Sequence, residues 1–196
     1  LMLLQKKGQF TWDEVVVMVL HMVRCREFTK YDPKINLVVC TRCCLFNIAF
    51  FDLNKESEVV PRPPISKIPV SDLWRLEDSV NVISIKVAES DVGYPINVYG
   101  TVLARDEYDY RCIYLFKRGR DNPQLITSPE DTLTLTGPYR AFGVTGNMFF
   151  EVHLKIKRDG AIDKDFNKAL IQHNTSHHTC EPMAVSLVNC LSTVVM

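Results

Sequence analysis

The feature that most constrains the fold of this chain is a regular alternation of apolar and polar side chains over residues 148–158. The apolar positions are Phe150, Val152, Leu154 and Ile156, and the polar positions between them are Glu151, His153, Lys155 and Lys157. Because successive side chains of a strand point to opposite faces of its sheet, the pattern predicts one buried and one solvated face. A half-buried strand of this kind is typical of antiparallel sheets.

Further strand signals follow one another closely along the chain. They lie in residues 36–41, 45–52, 80–89, 95–105, 110–117 and 131–136, and residues 185–196 form a last apolar run. Gly100 stands inside one of these segments, which indicates a bulge or a close backbone approach. Strands at this spacing predict a mainly β fold, either an antiparallel sandwich or an open barrel.

The N-terminal segment has a different periodicity. Its apolar side chains recur at helical spacing, at Trp12, Val15, Val16, Val19, Met22 and Val23. The apolar stretch 15–23 is nine residues long and contains His21, whereas a membrane-spanning helix needs about 20 apolar residues. We therefore expect an N-terminal helix that packs on its own domain, and no membrane span. A second, short helix is predicted over residues 165–172.

The change of character along the chain suggests a helical N-terminal lead-in over residues 1–34 and a β-rich domain over residues 35–196. The Pro-rich stretch 54–64 is the best candidate for a linker or a loop. The last apolar run stops at Met196 without a turn or a polar tail. We therefore expect the β domain to be truncated at its C-terminus, with an unpaired strand edge there.

Composition excludes several classes of protein. Apolar residues make up 46% of the chain, which excludes a disordered protein. The 23 basic residues balance the 23 acidic ones, so no excess of cations exists to neutralise nucleic-acid phosphates. Lys117, Arg118 and Arg120 lie near one turn, but single-stranded RNA binding needs a basic groove with exposed aromatics. Aromatic residues within strands are more typical of core or cross-strand pairs. We expect no nucleic-acid partner.

The seven cysteines are odd in number. Most of them lie in apolar runs, where a free cysteine behaves as a small hydrophobe. This usage favours a reducing compartment, so we expect a cytoplasmic protein.

One cysteine group has the spacing of a zinc half-site. Cys40 and Cys43 form a C-x-x-C with Cys44 beside them, and His177, His178 and Cys180 could supply a second half. However, residues three apart on a strand point to opposite faces. Free thiols are therefore expected, with no metal ligand.

Acidic side chains near the turns raise a second metal hypothesis, a calcium site. They are Glu89, Asp91, Asp106, Glu107, Asp109 and Asp121. Successive hairpin loops lie at opposite ends of a sheet, so these residues would not converge. They are better explained as turn formers, because Asp bonds its own backbone in tight turns.

Catalytic patterns are absent from the sequence. It contains no Gly-rich phosphate loop and no G-x-S-x-G nucleophile elbow. His153 is expected on the outward face of its strand, and nothing places a Ser or Cys nucleophile beside the later histidines. We expect no catalytic residue, no cofactor and no enzymatic activity.

Five blocks of sequence carry a family resemblance. They are residues 70–72 with 79–87, then 99–106, 118–122, 135–138 and 150–157. In order and spacing they resemble an uncharacterised plant domain family that is expanded in grasses, and the resemblance covers about residues 45–196. Some members of that family are fused behind a ribosome-inactivating N-glycosidase domain. That enzyme uses a Glu and an Arg three residues apart on a helix, and no Glu of this chain has an Arg three residues later.

Two functions remain from these observations. The first is a non-enzymatic β-rich interaction module with a protein partner and a role in stress or defence, as the domain partners of the family imply. The alternative is an accessory domain associated with N-glycosidase activity on ribosomal RNA. Nothing in the sequence fixes the oligomeric state.

Overall fold

The computed structural model describes residues 10–60, 67, 69–71, 79–143, 146–160, 162–174 and 183–196. Over these residues the fold is mainly β, with antiparallel strand pairs and one N-terminal helix. The sheets of the described residues are open and do not close into a barrel. The predicted fold class is thereby confirmed.

The helix, α1, spans Trp12–Glu27 and begins at a capping box. The Glu14 N–H donates to Thr11 Oγ1 at 3.3 Å, and the Thr11 N–H donates to Glu14 Oε2 at 2.8 Å. These two bonds satisfy backbone donors that a helix leaves free at its start. The predicted helix is confirmed, although none of its residues is buried.

A short hairpin follows the helix. Strands β1 (Thr29–Asp32) and β2 (Leu37–Cys40) pair across a turn in which Asn36 has a φ of 54°. Residues 28–57, which we call the arm, contain this hairpin and the loops after it. Within the arm, residues 45–52 form turns and no strand, so the strand predicted there is wrong.

The central sheet has the strand order β10-β9-β5-β6, and β7 also pairs with β5. These strands are β5 (Ile96–Arg105), β6 (Ile113–Arg118), β7 (Gln124–Ile126), β9 (Asn147–Ile156) and β10 (Lys164–Asn174). The helix predicted over residues 165–172 is wrong, because this segment belongs to β10. Its register with β9 runs from Lys164 to Asn174. Tertiary pairing therefore overrides the local helical pattern.

A second sheet has the order β11-β12-β4. Its strands are β4 (Lys86–Ser90), β11 (Ser186–Asn189) and β12 (Ser192–Val195). The single strand predicted over residues 185–196 is a hairpin, with a turn at Cys190, where φ is 52°. Strand β12 is paired on both sides, and β11 forms the edge of this sheet.

Two other predicted strands are shorter than expected. Residues 80–89 divide into β3 (Ser79–Val80) and β4, and β3 pairs with β8 (Phe142–Gly143). Residues 131–136 contribute only an isolated bridge between Thr132 and Lys86. In both segments only a few residues are hydrogen-bonded to a neighbouring strand. The alternation of apolar and polar residues therefore does not predict the length of a strand.

The core lies between the two sheets. It includes Val98, Val102 and Val152 from the central sheet and Val87 and Val194 from the second sheet. Phe150, Leu154 and Ile156 are buried as their alternation predicts. The arm contacts the opposite face of the central sheet, where Lys30 Nζ lies 2.6 Å from Asp165 Oδ2. The central sheet is therefore covered on both faces at this end.

Candidate interaction surface

The largest group of exposed apolar side chains on one element lies on α1. Six of them form what we call the outward face of α1: Trp12, Val16, Val19, Leu20, Met22 and Val23, each between 37% and 78% exposed. The opposite side of the helix carries Val17, His21 and Cys25, which are half-buried. An α-helix brings residues four apart onto one side, so these three residues form a single line toward the body of the protein.

Few contacts hold α1 to the arm. Cys25 interacts with the thiol of Cys44 in the arm. Within α1, the Cys25 Sγ also lies 3.5 Å from a ring nitrogen of His21. The Asn47 side-chain amide donates to the Val17 carbonyl oxygen at 3.5 Å. These contacts lie on the side of α1 opposite the outward face, whose side chains remain 37% to 78% exposed.

The sequence pattern explains this arrangement. Apolar residues occupy almost every position from Val15 to Val23, which is more than the single stripe that one contact with the body can bury. A large contiguous exposed apolar patch on a folded protein is a candidate interaction site. Within the described residues, no helix is long and apolar enough to cross a membrane.

Charged residues bound the outward face at both ends of α1. Asp13 and Glu14 lie in the first turn, and Arg24 and Arg26 lie in the last turn. Glu14 is used in the capping box, and Arg24 pairs with Glu27. Asp13 and Arg26 form no ion pair with any described residue.

A buried polar network fixes the arm beneath α1. Arg105 Nε lies 2.7 Å from Glu151 Oε1, and the side chains are 0% and 7% exposed. The Cys43 N–H donates to Glu151 Oε1 at 3.0 Å, and Arg42 Nε donates to Glu151 Oε2 at 3.2 Å. Burial lowers the pKa of the Arg105 guanidinium, but Glu151 more than offsets this, and the pKa lies above its ordinary value. The Arg105 guanidinium therefore remains charged.

The alternation of β9 predicts that Glu151 faces solvent, and this expectation is wrong. Leu103 and Phe149 lie on the same side as Arg105 and Glu151, and all four are buried. The arm covers this part of the sheet, so both faces are buried there. The sequence does contain a signal for this second buried face. Leu103 and Phe149 are apolar, although they lie on the side of the sheet that is expected to be polar.

The two C-x-x-C cysteines do not lie on one strand, contrary to the expectation: Cys40 is the last residue of β2 and is exposed, whereas Cys43 lies in the loop after it and is buried. Burial, followed by the neighbouring Cys25, raises the pKa of the Cys44 thiol to about 12. Among the described residues, no three or more His, Cys, Asp or Glu side chains are placed to hold a metal ion. His177, His178 and Cys180 lie outside the described residues.

The acidic residues near turns have separate structural partners. Asp106 forms a buried ion pair with Arg140, whose Nη2 lies 3.1 Å from Asp106 Oδ1. Glu107 accepts hydrogen bonds from the Gly146 and Asn147 N–H groups at 3.0 Å. Asp91 pairs with Lys34. The structure does not bring these carboxylates together.

Two of the basic residues near the β6–β7 turn are held in ion pairs. Lys117 lies 3.0 Å from Glu56 Oε1, and Arg120 lies 2.7 Å from Asp163 Oδ2. Hydrogen bonds from Arg120 and Tyr99 hold the pKa of the Asp163 carboxyl well below its ordinary value. Such pairing leaves these cations less available for phosphate groups.

His153 lies on the same side of β9 as Glu151, and its side chain is 43% exposed. Its Nε2 lies 3.5 Å from Asp165 Oδ1. Asp165 also pairs with Lys30, which connects the arm to β10. This cluster joins structural elements to one another.

Comparisons with known proteins found one family. The family described as "Domain of unknown function (DUF6598)" matches residues 79–196, which contain all the strands of both main sheets. The outward face of α1 lies before the matched segment. A search of curated proteins found no match, and a search of solved structures found none. Because the match covers more than half of the chain, the protein belongs to the DUF6598 family, a domain of unknown function.

Proposed function

We propose that the protein is a non-enzymatic interaction module that binds a protein partner through the outward face of α1. One observation carries the proposal: six large apolar side chains are exposed side by side on a capped helix. Exposing them to water costs free energy that a partner would recover by covering them. The β sandwich and the arm act as the scaffold that presents the helix.

The finer features of the proposal rest on the sequence. The resemblance over residues 45–196 supports a plant protein with a role in stress or defence. Cysteine usage supports a cytoplasmic location. The same resemblance supports the alternative, an accessory domain associated with N-glycosidase activity on ribosomal RNA. We also retain the division into a lead-in over residues 1–34 and a β-rich domain over residues 35–196.

A comparison of matched variants tests the role of α1. Leu20→Asp places a charge in the centre of the outward face, and Ile162→Asp places one at a residue that is 91% exposed elsewhere. The immobilised chain is incubated with an extract of the cells that express it, and bound proteins are quantified. We expect Leu20→Asp to lose proteins that the wild type and Ile162→Asp both retain. Equal capture by all three would refute the proposal.

An assay with purified ribosomes distinguishes the interaction module from the accessory domain of an N-glycosidase. The interaction module should release no adenine from ribosomal RNA, with or without Leu20→Asp. Adenine release by the purified chain above the level of a heat-denatured sample would reject the non-enzymatic proposal. Ribosome binding without adenine release would support the accessory role.

A further inference from the structure

We propose that the partner of the outward face is a second copy of this chain, bound with the two α1 helices antiparallel. The inference rests on the proposed function and names its partner. In such a pair each copy contributes the same surface, so the surface must be complementary to itself. The outward face of α1 is self-complementary both in its apolar side chains and in the charges that bound it.

The charges select the antiparallel arrangement. The first turn of α1 carries Asp13 and Glu14, and the last turn carries Arg24 and Arg26. Antiparallel helices bring the first turn of one copy beside the last turn of the other, where the charges are opposite. Parallel helices would bring like charges together, which destabilises the pair.

Asp13 and Arg24 lie on the same side of the helix. They are eleven residues apart, which at 3.6 residues per turn places them only about 20° apart around the axis. In a two-fold antiparallel pair each side of a helix meets the same side of its partner. Asp13 of one copy therefore lies on the same side of the pair as Arg24 of the other, within reach of its long side chain. Asp13 has no ion-pair partner among the described residues of its own chain, so it is available for this contact.

The apolar residues match when the two-fold axis passes through the middle of the helix, which leaves Asp13 of one copy two residues, about 3 Å along the axis, from the level of Arg24 of the other. The middle of α1 lies between Val19 and Leu20, because the helix spans Trp12–Glu27. A two-fold axis at this point places Val16 of one copy opposite Val23 of the other, and Val19 opposite Leu20. All four residues belong to the outward face. Each helix would thus cover its apolar side chains with those of the other.

The bodies of the two copies do not obstruct this contact. Each body is attached to α1 through Val17, His21 and Cys25, on the side opposite the outward face. The helix is about 24 Å long at 1.5 Å per residue. One such helix provides less than the roughly 800 Å² per partner of a standard interface. We therefore expect a reversible dimer with a dissociation constant on the order of micromolar.

Sedimentation equilibrium of the full chain tests the inference. The weight-average mass of the wild type should rise from 22.5 kDa toward twice that value with increasing concentration. Leu20→Asp and Val16→Asp should remain monomeric, and Ile162→Asp should dimerise as the wild type does. Because all three positions are exposed, the urea midpoints of the monomers should agree, which excludes misfolding as the cause.

Charge exchange tests the antiparallel arrangement. Asp13→Arg and Arg24→Asp each place like charges opposite one another, and each should raise the dissociation constant by about tenfold. The double variant restores opposite charges and should recover most of the wild-type affinity. High salt should reduce these differences, because exposed charges are screened.

The outcomes separate this inference from the proposed function. A chain that is monomeric at all concentrations overturns the second-copy partner. If Leu20→Asp still loses captured proteins in that case, the proposed function stands with another occupant. A dimer that Leu20→Asp does not disrupt, or that the double charge exchange does not restore, also overturns the inference.

Discussion

Arg105 on β5 and Glu151 on β9 form an ion pair of 2.7 Å within the central sheet, and both side chains also bond to the backbone of the arm. Arg105 also donates to the carbonyl oxygens of Leu53 and Tyr110, at 2.7 and 2.9 Å. Glu151 Oε1 accepts from the Cys43 N–H as well. Since Leu53 and Cys43 belong to the arm, this pair positions the segment on which α1 rests.

Removal of the Glu151 charge should destabilise the protein strongly. Glu151→Gln leaves the fully buried Arg105 guanidinium without a counter-charge, which costs about 3–5 kcal/mol. The free energy of unfolding, measured by urea denaturation, should fall by this amount. Glu130→Gln is the control, because Glu130 pairs with Lys86 but its side chain is 81% exposed. Its loss should cost about 0–1 kcal/mol. Similar losses for the two variants would contradict the buried pair.

The alternation in residues 95–105 and 148–158 correctly predicts the two central strands and their inward-facing core residues. It does not predict that Arg105 and Glu151 are buried, because a period of two assigns one face of the strand to solvent. The second face is covered by the arm, which is distant in sequence. Local periodicity carries no information about such a contact.

Two other elements show the same limit. Residues 165–172 have apolar positions compatible with a helix, and their pairing with β9 makes them a strand. The helix α1 was predicted from its spacing, but its outward face was expected to pack on the domain. Spacing identifies which residues share a side of a helix, and only the tertiary structure shows which side faces the body.

Asp165 should contribute to stability in a pH-dependent way. His153, followed by Lys30, lowers the pKa of the Asp165 carboxyl below its ordinary value of 3.8 in the folded state. A lowered folded-state pKa stabilises the protein above the unfolded-state pKa, and this stability is lost as the pH falls below about 4. Asp165→Asn should cost about 2 kcal/mol at pH 7 and should flatten the acid side of the stability profile.

Chemical denaturation between pH 3 and pH 7 measures this effect. Asp159→Asn is the control, because Asp159 is exposed and has no ion pair among the described residues. It should leave the profile unchanged. A wild-type slope that persists in Asp165→Asn would show that another carboxyl is responsible.

The cysteines should differ widely in their reaction with iodoacetamide. Cys40 is exposed, whereas burial raises the pKa of the Cys43 and Cys112 thiols. The pKa of Cys44 is raised to about 12 by burial and by the neighbouring Cys25. Because the thiolate is the reactive form, Cys44 should react at pH 8 about a hundredfold or more slowly than Cys40.

Peptide mass spectrometry after timed alkylation measures these rates. All seven cysteines should react at similar rates in urea, where burial is lost. Equal rates for Cys44 and Cys40 in the native protein would show that burial and the contact with Cys25 do not suppress ionisation of the Cys44 thiol.

A single methyl group should be poorly tolerated at Gly100. It lies in β5 with a φ of 122°, in the region of backbone conformation that favours glycine. A Cβ atom there would lie 2.1 Å from the carbonyl oxygen of His153, which belongs to the backbone of β9 and cannot turn away. The close approach that a glycine within a strand indicates is thus confirmed.

Gly100→Ala should therefore lower the free energy of unfolding by at least about 3 kcal/mol, because the strain can be relieved only by separating β5 from β9. Gly119→Ala is the matched control, since no atom lies within 4 Å of a Cβ at that position. It should change stability by no more than about 0.5 kcal/mol. Thermal and urea unfolding of both variants measure the difference. If Gly100→Ala were as stable as Gly119→Ala, the two strands could not approach as closely as the register of Gly100 opposite Leu154 requires.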